Sequence, residues 1–217
     1  MEKAIFPLYY MNITQGVGGN FSHMGSMAID LGSKGDKEVL YAPFTGIVKK
    51  VYKTSGNFVW LESKEKVLWA DGTIDYMTVL TGHDDNVESL YVGKEIKQGT
   101  PYYMQGTSGN TEQVHVHIEV GKGTFTGNGW YKNEDNVWMI NNAVHPAEAF
   151  FLPEDIVIDN DSGYPWKKEG TEVIRTEGDS AASLQKIFTC KKDGTYYLKL
   201  YNGENLYIEN VNEKEKK

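Results

Sequence analysis

The stretch "QVHVHIEVG" places His115, His117 and Glu119 at every second position. On a β-strand this spacing puts all three on one face and Val114, Val116, Ile118 and Val120 on the other. The apolar face belongs against a core, whereas a face carrying two imidazoles and a carboxylate suggests chemistry. Residues i and i+2 of a strand lie about 6.5 Å apart at their Cα atoms. Two such side chains can therefore serve one ion and one water between them. His23 and Asp30 stand earlier, in "FSHMGSMAIDLG", and His83 follows an apolar run in "TVLTGHDDN".

Zinc takes imidazole nitrogen and carboxylate oxygen at about 2.0–2.2 Å, and a catalytic site keeps one position for water beside three protein ligands. Two histidines and an aspartate from neighbouring strands satisfy that requirement. One imidazole of the H-x-H pair would bind the ion and the other would reach the water. Antiparallel sheets also present solvated polar faces with no such purpose. Spacing alone leaves the metal site and the solvated face as open alternatives.

The elements that must position these residues read as strands. "MAIDLG", "GIVKKVY", "NFVWLES", "YMTVLTG" and "VHVHIEV" are short β-like runs, separated by "SKGDKE", "KTSGN", "ADGT" and "GTSGNTE". "EKVLWADGTIDYMTVL" reads as a hairpin turning at Asp71-Gly72. "HPAEAFF" allows a turn or two of helix. The expected class is mainly β (α+β at most), built on an antiparallel sheet. Fourteen Tyr and 23 Gly among 217 residues favour the same class.

Residues 1–152 form the expected main domain. The polar, turn-rich "PEDIVIDNDSGYPWKKEG" suggests a linker over 153–168. Residues 169–217 then read as a small β appendage. "GTYYLKLYNGENLYIENV" gives a second hairpin around Asn202-Gly203, followed by a disordered charged tail, "NEKEKK".

Formal net charge is -8, with no Lys/Arg stripe, so nucleic acid is not an expected partner. No apolar run reaches the roughly 20 residues of a membrane span. The single cysteine, Cys190, excludes an intrachain disulfide and reads as a small buried apolar residue. "MEKAIFPLYYMNITQG" lacks the features of a signal peptide, which leads to the expectation of synthesis in a host cytoplasm. Trp60 and Trp69 read as core. The glycines of "QGVGGNFS" read either as a flexible loop or as a tight connection. No Lys follows where a phosphate-binding loop requires one.

These pieces occur in a set order. "ITQGVGGNFSHMGSMAIDLG" supplies a Gly-containing loop, His23 and Asp30. "YAPFTGIVKKVY" follows, then "LTGHDDN", then "VGKEIKQGTPYYMQGTSGNTEQVHVHIEV", and "AVHPAEAF" closes the series. Over residues 12–152 the chain resembles the lysostaphin-type zinc metallopeptidases that cut peptidoglycan. Many members carry His-x3-Asp. The longer His23-x6-Asp30 spacing here is one associated with some phage lytic enzymes.

The resemblance implies a sheet domain with a substrate groove, of the lysostaphin-type or duplicated hybrid motif kind. It implies one Zn2+ held by His23, Asp30 and His117. His115 would be the general base, and His83 a second catalytic imidazole that stabilises the oxyanion or orients the water. Glu119 would accept an imidazole N–H or stand at the surface, and His145, before Pro146, would be structural. The implied function is zinc-dependent hydrolysis of peptide bonds in bacterial peptidoglycan by a monomeric phage endolysin or virion-associated lysin. Such an enzyme would act on the wall after release or from the particle. The aromatic appendage, with Tyr196, Tyr197, Tyr201 and Tyr207, would bind wall or form its own small core.

Two rivals differ in class. A degenerate relative would bind or regulate without cutting, against which stand the five retained residues. A cupin-like metal oxygenase also uses H-x-H on a strand. It needs a Glu several residues later and a further His. Glu119 is too close, and the only later histidine, His145, precedes a proline.

Overall fold

Alternating apolar residues in short runs, punctuated by Gly, Asn and Asp, give a sheet of nine strands. The computed structural model describes residues 1–111, 113–171, 196–199 and 205–208. They fall in two compact units, Met1–Val173 and Ile174–Lys217. The main sheet of the first unit comprises β1 (Tyr10–Gln15), β2 (Ile29–Gly32), β3 (Gly46–Tyr52), β4 (Phe58–Ser63), β5 (Met77–Gly82), β6 (Glu95–Ile96), β7 (His115–Lys122), β8 (Ala143–Val144) and β9 (Val157–Asn160). Their order across the sheet is β9-β1-β2-β7-β5-β4-β3-β6, with β8 pairing to β7. Every pairing is antiparallel except β1 with β9.

One face of the sheet packs on the main core. Ile13, Ile29, Leu31, Leu61, Val79, Val116, Ile118 and Val120 are buried there beneath Phe6, Phe44, Trp69 and Phe150. The other face carries a smaller cluster of Trp60, Leu80 and Ile140, flanked by Phe58 and Trp130. Trp60 and Trp69 are thus both core, on opposite faces. The expected hairpin is present, with Val67–Leu68 pairing antiparallel to Ile74–Asp75. Gly72 in its turn has a φ of +98°. "HPAEAFF" supplies a four-residue helix, Pro146–Ala149, capped by His145, whose Nδ1 accepts from the Ala147 N–H at 3.0 Å.

The expected linker is instead part of the first unit. Val157–Asn160 lies parallel to β1, and Lys167–Lys168 lies parallel to Phe151–Leu152. Tyr164 and Trp166 pack against the main core. Their polar neighbours face solvent, which is why the composition read as a connection. In the second unit Tyr196–Lys199 and Asn205–Ile208 pair antiparallel, as the hairpin signal suggested. Cys190, the side chains of the C-terminal tyrosines and the charged tail lie outside the described residues.

No helix among the described residues is long and apolar enough to cross a membrane.

Candidate metal centre and cleft

Strand register builds the site. His117 of β7 stands opposite Asp30 of β2 on one side and opposite Gly82 of β5 on the other. Since Ile29, Leu31, Val116 and Ile118 point into the core, Asp30 and His117 must point out of the opposite face. His83 follows immediately after β5. The row across the sheet therefore runs Asp30, His117, Gly82, with His115 one pleat further along.

His23 reaches this row from the loop over residues 16–27. The loop is a tight connection held by its own backbone: Gly19 N–H donates to Gly16 O at 3.1 Å, Gly18 N–H to Ser26 O at 3.0 Å, and His23 N–H to Gly19 O at 3.1 Å. His23 is only 1% exposed.

Three side-chain atoms then converge. His23 Nε2 and His117 Nδ1 are 3.3 Å apart, His117 Nδ1 and Asp30 Oδ1 are 3.1 Å apart, and His23 Nε2 and Asp30 Oδ1 are 3.3 Å apart. Tetrahedral coordination with bonds of about 2.0–2.1 Å separates any two donors by about 3.3–3.4 Å. The triangle therefore fits a metal ion in both donor type and size, and these residues form a possible His/Asp/His metal site.

The opposite edges of the rings set their orientation. His23 Nδ1–H donates to Gly16 O at 3.2 Å, leaving the Nε2 lone pair on the triangle. His117 Nε2–H donates to Glu119 Oε1 at 3.1 Å, which leaves Nδ1 for the triangle. Glu119 Oε2 in turn accepts from the Ile140 N–H at 2.8 Å. At 2% exposed, Glu119 is no surface carboxylate; it holds an imidazole, as carboxylates behind metal-ligating histidines commonly do.

Burial alone would raise the Asp30 carboxyl, but hydrogen bonds from His117 and His23 hold it well below the usual carboxylate range. Burial alone would lower His117, yet its bonds to Asp30 and Glu119 prevail and raise it to about 10. Both bonds favour the charged imidazole, and a metal on Nδ1 would have to replace a proton there.

The two remaining imidazoles line the same cleft of about 530 Å³, together with Thr14, Phe21, Asp30 and His117. His115 Nδ1–H donates to Gln113 O at 2.8 Å, so Nε2 is bare, 3.8 Å from Asp30 Oδ1. His83 Nδ1–H donates to Ser108 O at 2.8 Å, so its Nε2 is bare as well. Their ring centroids are 4.5 Å apart. Burial pushes His83 down to about 4, keeping it neutral over the physiological range. His83 has a φ of +83°, a left-handed conformation uncommon for a residue with a side chain. Its backbone is fixed on both sides, N–H to Gly56 O and O from Ser108 N–H.

The glycines of "GTSGNTEQ" let backbones approach closely. At Gly109, with a φ of +93°, an added Cβ would lie 2.8 Å from the Gly56 Cα. At Gly106 it would meet the His83 carbonyl oxygen and lie 2.8 Å from the Asp85 nitrogen.

Sequence reading missed two polar residues that shape the site. Gln15 touches Asp30, and Asp84, buried behind His83, accepts from the Asn86 and Met104 N–H groups. Parity along β1 was the available signal for Gln15, which pairs opposite Asp30.

No family model matches the chain. Over 168 residues, 77% of its length, it is 35% identical to Morphogenesis protein 1 of Bacillus phage B103, and it spans 44% of that protein's length. Among solved structures it is similar to a zinc containing peptidase from Vibrio cholerae, with 22% identity, a TM-score of 0.43, and 56% of this chain and 37% of that chain covered. A second is the catalytic domain of the prophage-encoded M23 protein EnpA from Enterococcus faecalis, at 21% identity and a TM-score of 0.40, covering 52% and 82%. A third is the catalytic domain of lysostaphin from Staphylococcus simulans, at 17% identity and a TM-score of 0.39, covering 52% and 79%. The chain resembles lysostaphin-type peptidases. The described residues are themselves almost wholly β, with one short helix.

Proposed function

We propose that the chain is a zinc-dependent endopeptidase that hydrolyses peptide bonds of bacterial peptidoglycan. The carrying observation is the triangle of His23 Nε2, Asp30 Oδ1 and His117 Nδ1, beside which two further imidazoles present bare nitrogens to one cleft.

Zinc in the triangle would lower the pKa of a water towards about 7 and polarise the scissile carbonyl. His115 Nε2 takes the proton of the attacking water and returns it to the leaving amine nitrogen. Its Nδ1–H, fixed on Gln113 O, keeps that lone pair turned to the cleft. His83 is neutral, and its one N–H is spent on Ser108 O. With no N–H left for an oxyanion, it is better suited to accept from the water and hold it in line than to stabilise the oxyanion. Glu119 keeps His117 in the tautomer that directs Nδ1 inward.

The setting is a phage particle or its lysis programme. The related protein's name, a morphogenesis protein of a Bacillus phage, favours a virion-associated lysin over a free endolysin. The partner is then the bacterial wall, met from outside by an assembled particle.

The deciding experiment incubates purified walls from several bacterial types with the protein, with chelator, and with chelator followed by zinc. Released muropeptides are identified by mass spectrometry. New amine and carboxyl ends that vanish with chelator and return with zinc are expected. Intact stem peptides and bridges in every arm, from protein shown to hold zinc, would overturn the proposal.

A further inference from the structure

We propose that Gln15 is a positioning residue for the metal centre, clamping the outward oxygen of Asp30 to the loop that carries His23. This rests on the metal reading above. The end of β1 places Gln15 opposite Asp30 in register. Its Nε2 donates both hydrogens, to Asp30 Oδ2 at 3.0 Å and to Ser22 Oγ at 2.8 Å. Its Oε1 accepts from the Ser22 N–H at 3.3 Å. The reverse amide orientation would set an oxygen against a carboxylate and an NH2 against an N–H, so the network selects this one.

Two consequences follow from that connectivity. First, Asp30 has one oxygen on the triangle and the other tied to an amide, so it presents a single donor. A carboxylate free to rotate could offer both oxygens and distort a three-donor set. Second, the amide joins Asp30 to Ser22, the neighbour of His23. The same loop is thus held at two points, by Gln15 through Ser22 and by any cation shared between Asp30 and His23. Gly19 packs so closely on the Gln15 stem that an added Cβ would lie 2.7 Å from its Cγ. The loop is therefore moulded around this side chain. Phe21, 93% exposed on the cleft rim, rides on the same segment.

The test uses the full chain. Zinc affinity is measured by competition with a chelating dye, amide hydrogen exchange is followed over residues 16–27, and the unfolding midpoint is taken without metal. Gln15→Ala should weaken zinc binding by about 10–100-fold, the usual effect of removing a partner behind a metal ligand. It should also speed exchange in the loop with zinc present, while the metal-free midpoint falls, because the same hydrogen bonds are lost, but leaves the chain folded during the titration. Gln15→Glu, of equal size but with a like charge facing Asp30, should lose at least as much affinity. Ser22→Ala keeps the bond to Asp30 and should lose less. Zinc binding within about twofold of wild type in both Gln15 variants would overturn the inference. A wild-type chain that binds no zinc would instead overturn the metal reading, and this inference with it.

Discussion

His117 stands between two carboxylates, Asp30 on Nδ1 and Glu119 on Nε2. Burial opposes its charge, but the two hydrogen bonds prevail and raise it from 6.5 to about 10 in the metal-free site. Because the folded value lies above the unfolded one, this proton stabilises the metal-free protein fully below 6.5, and the contribution is lost as pH rises towards 10. A cation must displace the same proton. Zinc affinity should therefore rise about tenfold per pH unit between roughly pH 6 and 9. Dye competition at a series of pH values checks this, and a flat profile would contradict a protonated His117. Substitutions should separate the roles. His117→Ala should abolish stoichiometric zinc. His115→Ala should keep the metal yet lose about 10²–10⁴-fold in turnover, the range for a general base. Metal content by mass spectrometry and hydrolysis rate, read together, distinguish the two. At this scale much was legible, because strand parity alone put His115, His117 and Glu119 on one face. Parity could not say that Glu119 is buried, since its depth comes from the Trp60–Leu80–Ile140 cluster supplied by other strands and a distant segment.

Elements bring these side chains together through register and close backbone approach. The segment at Gly106 exchanges both hydrogen bonds with His115, at 3.0 and 3.2 Å, while pressing on the backbone after His83. Both cleft imidazoles therefore depend on one glycine, where an added Cβ would meet the His83 oxygen and Asp85. Gly106→Ala should cost about 1–3 kcal/mol of stability, as overpacking does, because backbone neighbours cannot swing aside. A denaturant melt of the metal-free protein measures it, and an unchanged midpoint would mean that the segment shifts freely. Strands with clear alternation were readable in the sequence, as were the Asp71-Gly72 hairpin and the short helix at Pro146. The strand Val157–Asn160 was not. Its residues are exposed and polar in context, and its partner β1 lies at the other end of the unit. Local patterning carries no information about such a pairing.

The whole first unit closes on itself through that late segment. Beyond Leu152 the chain adds β9 to the exposed edge of β1 and sets Trp166 against Phe6 at 5.3 Å. A fragment ending at 152 should be less stable than one ending at 171 by about 2–3 kcal/mol, because it loses β9 and the partly buried Tyr164 and Trp166. It should also tend to associate through the uncovered edge. Thermal unfolding and light scattering of the two fragments check both expectations. Tyr164 makes the more telling contact: its hydroxyl accepts from the Val17 N–H at 3.0 Å, within the loop that delivers His23. A phenol from the far end of the unit thus serves as the clasp on the cleft's first wall. Trimming the chain at its last recognisable motif would leave His23, Asp30, His83, His115 and His117 in place and still unfasten the loop that brings His23 to them.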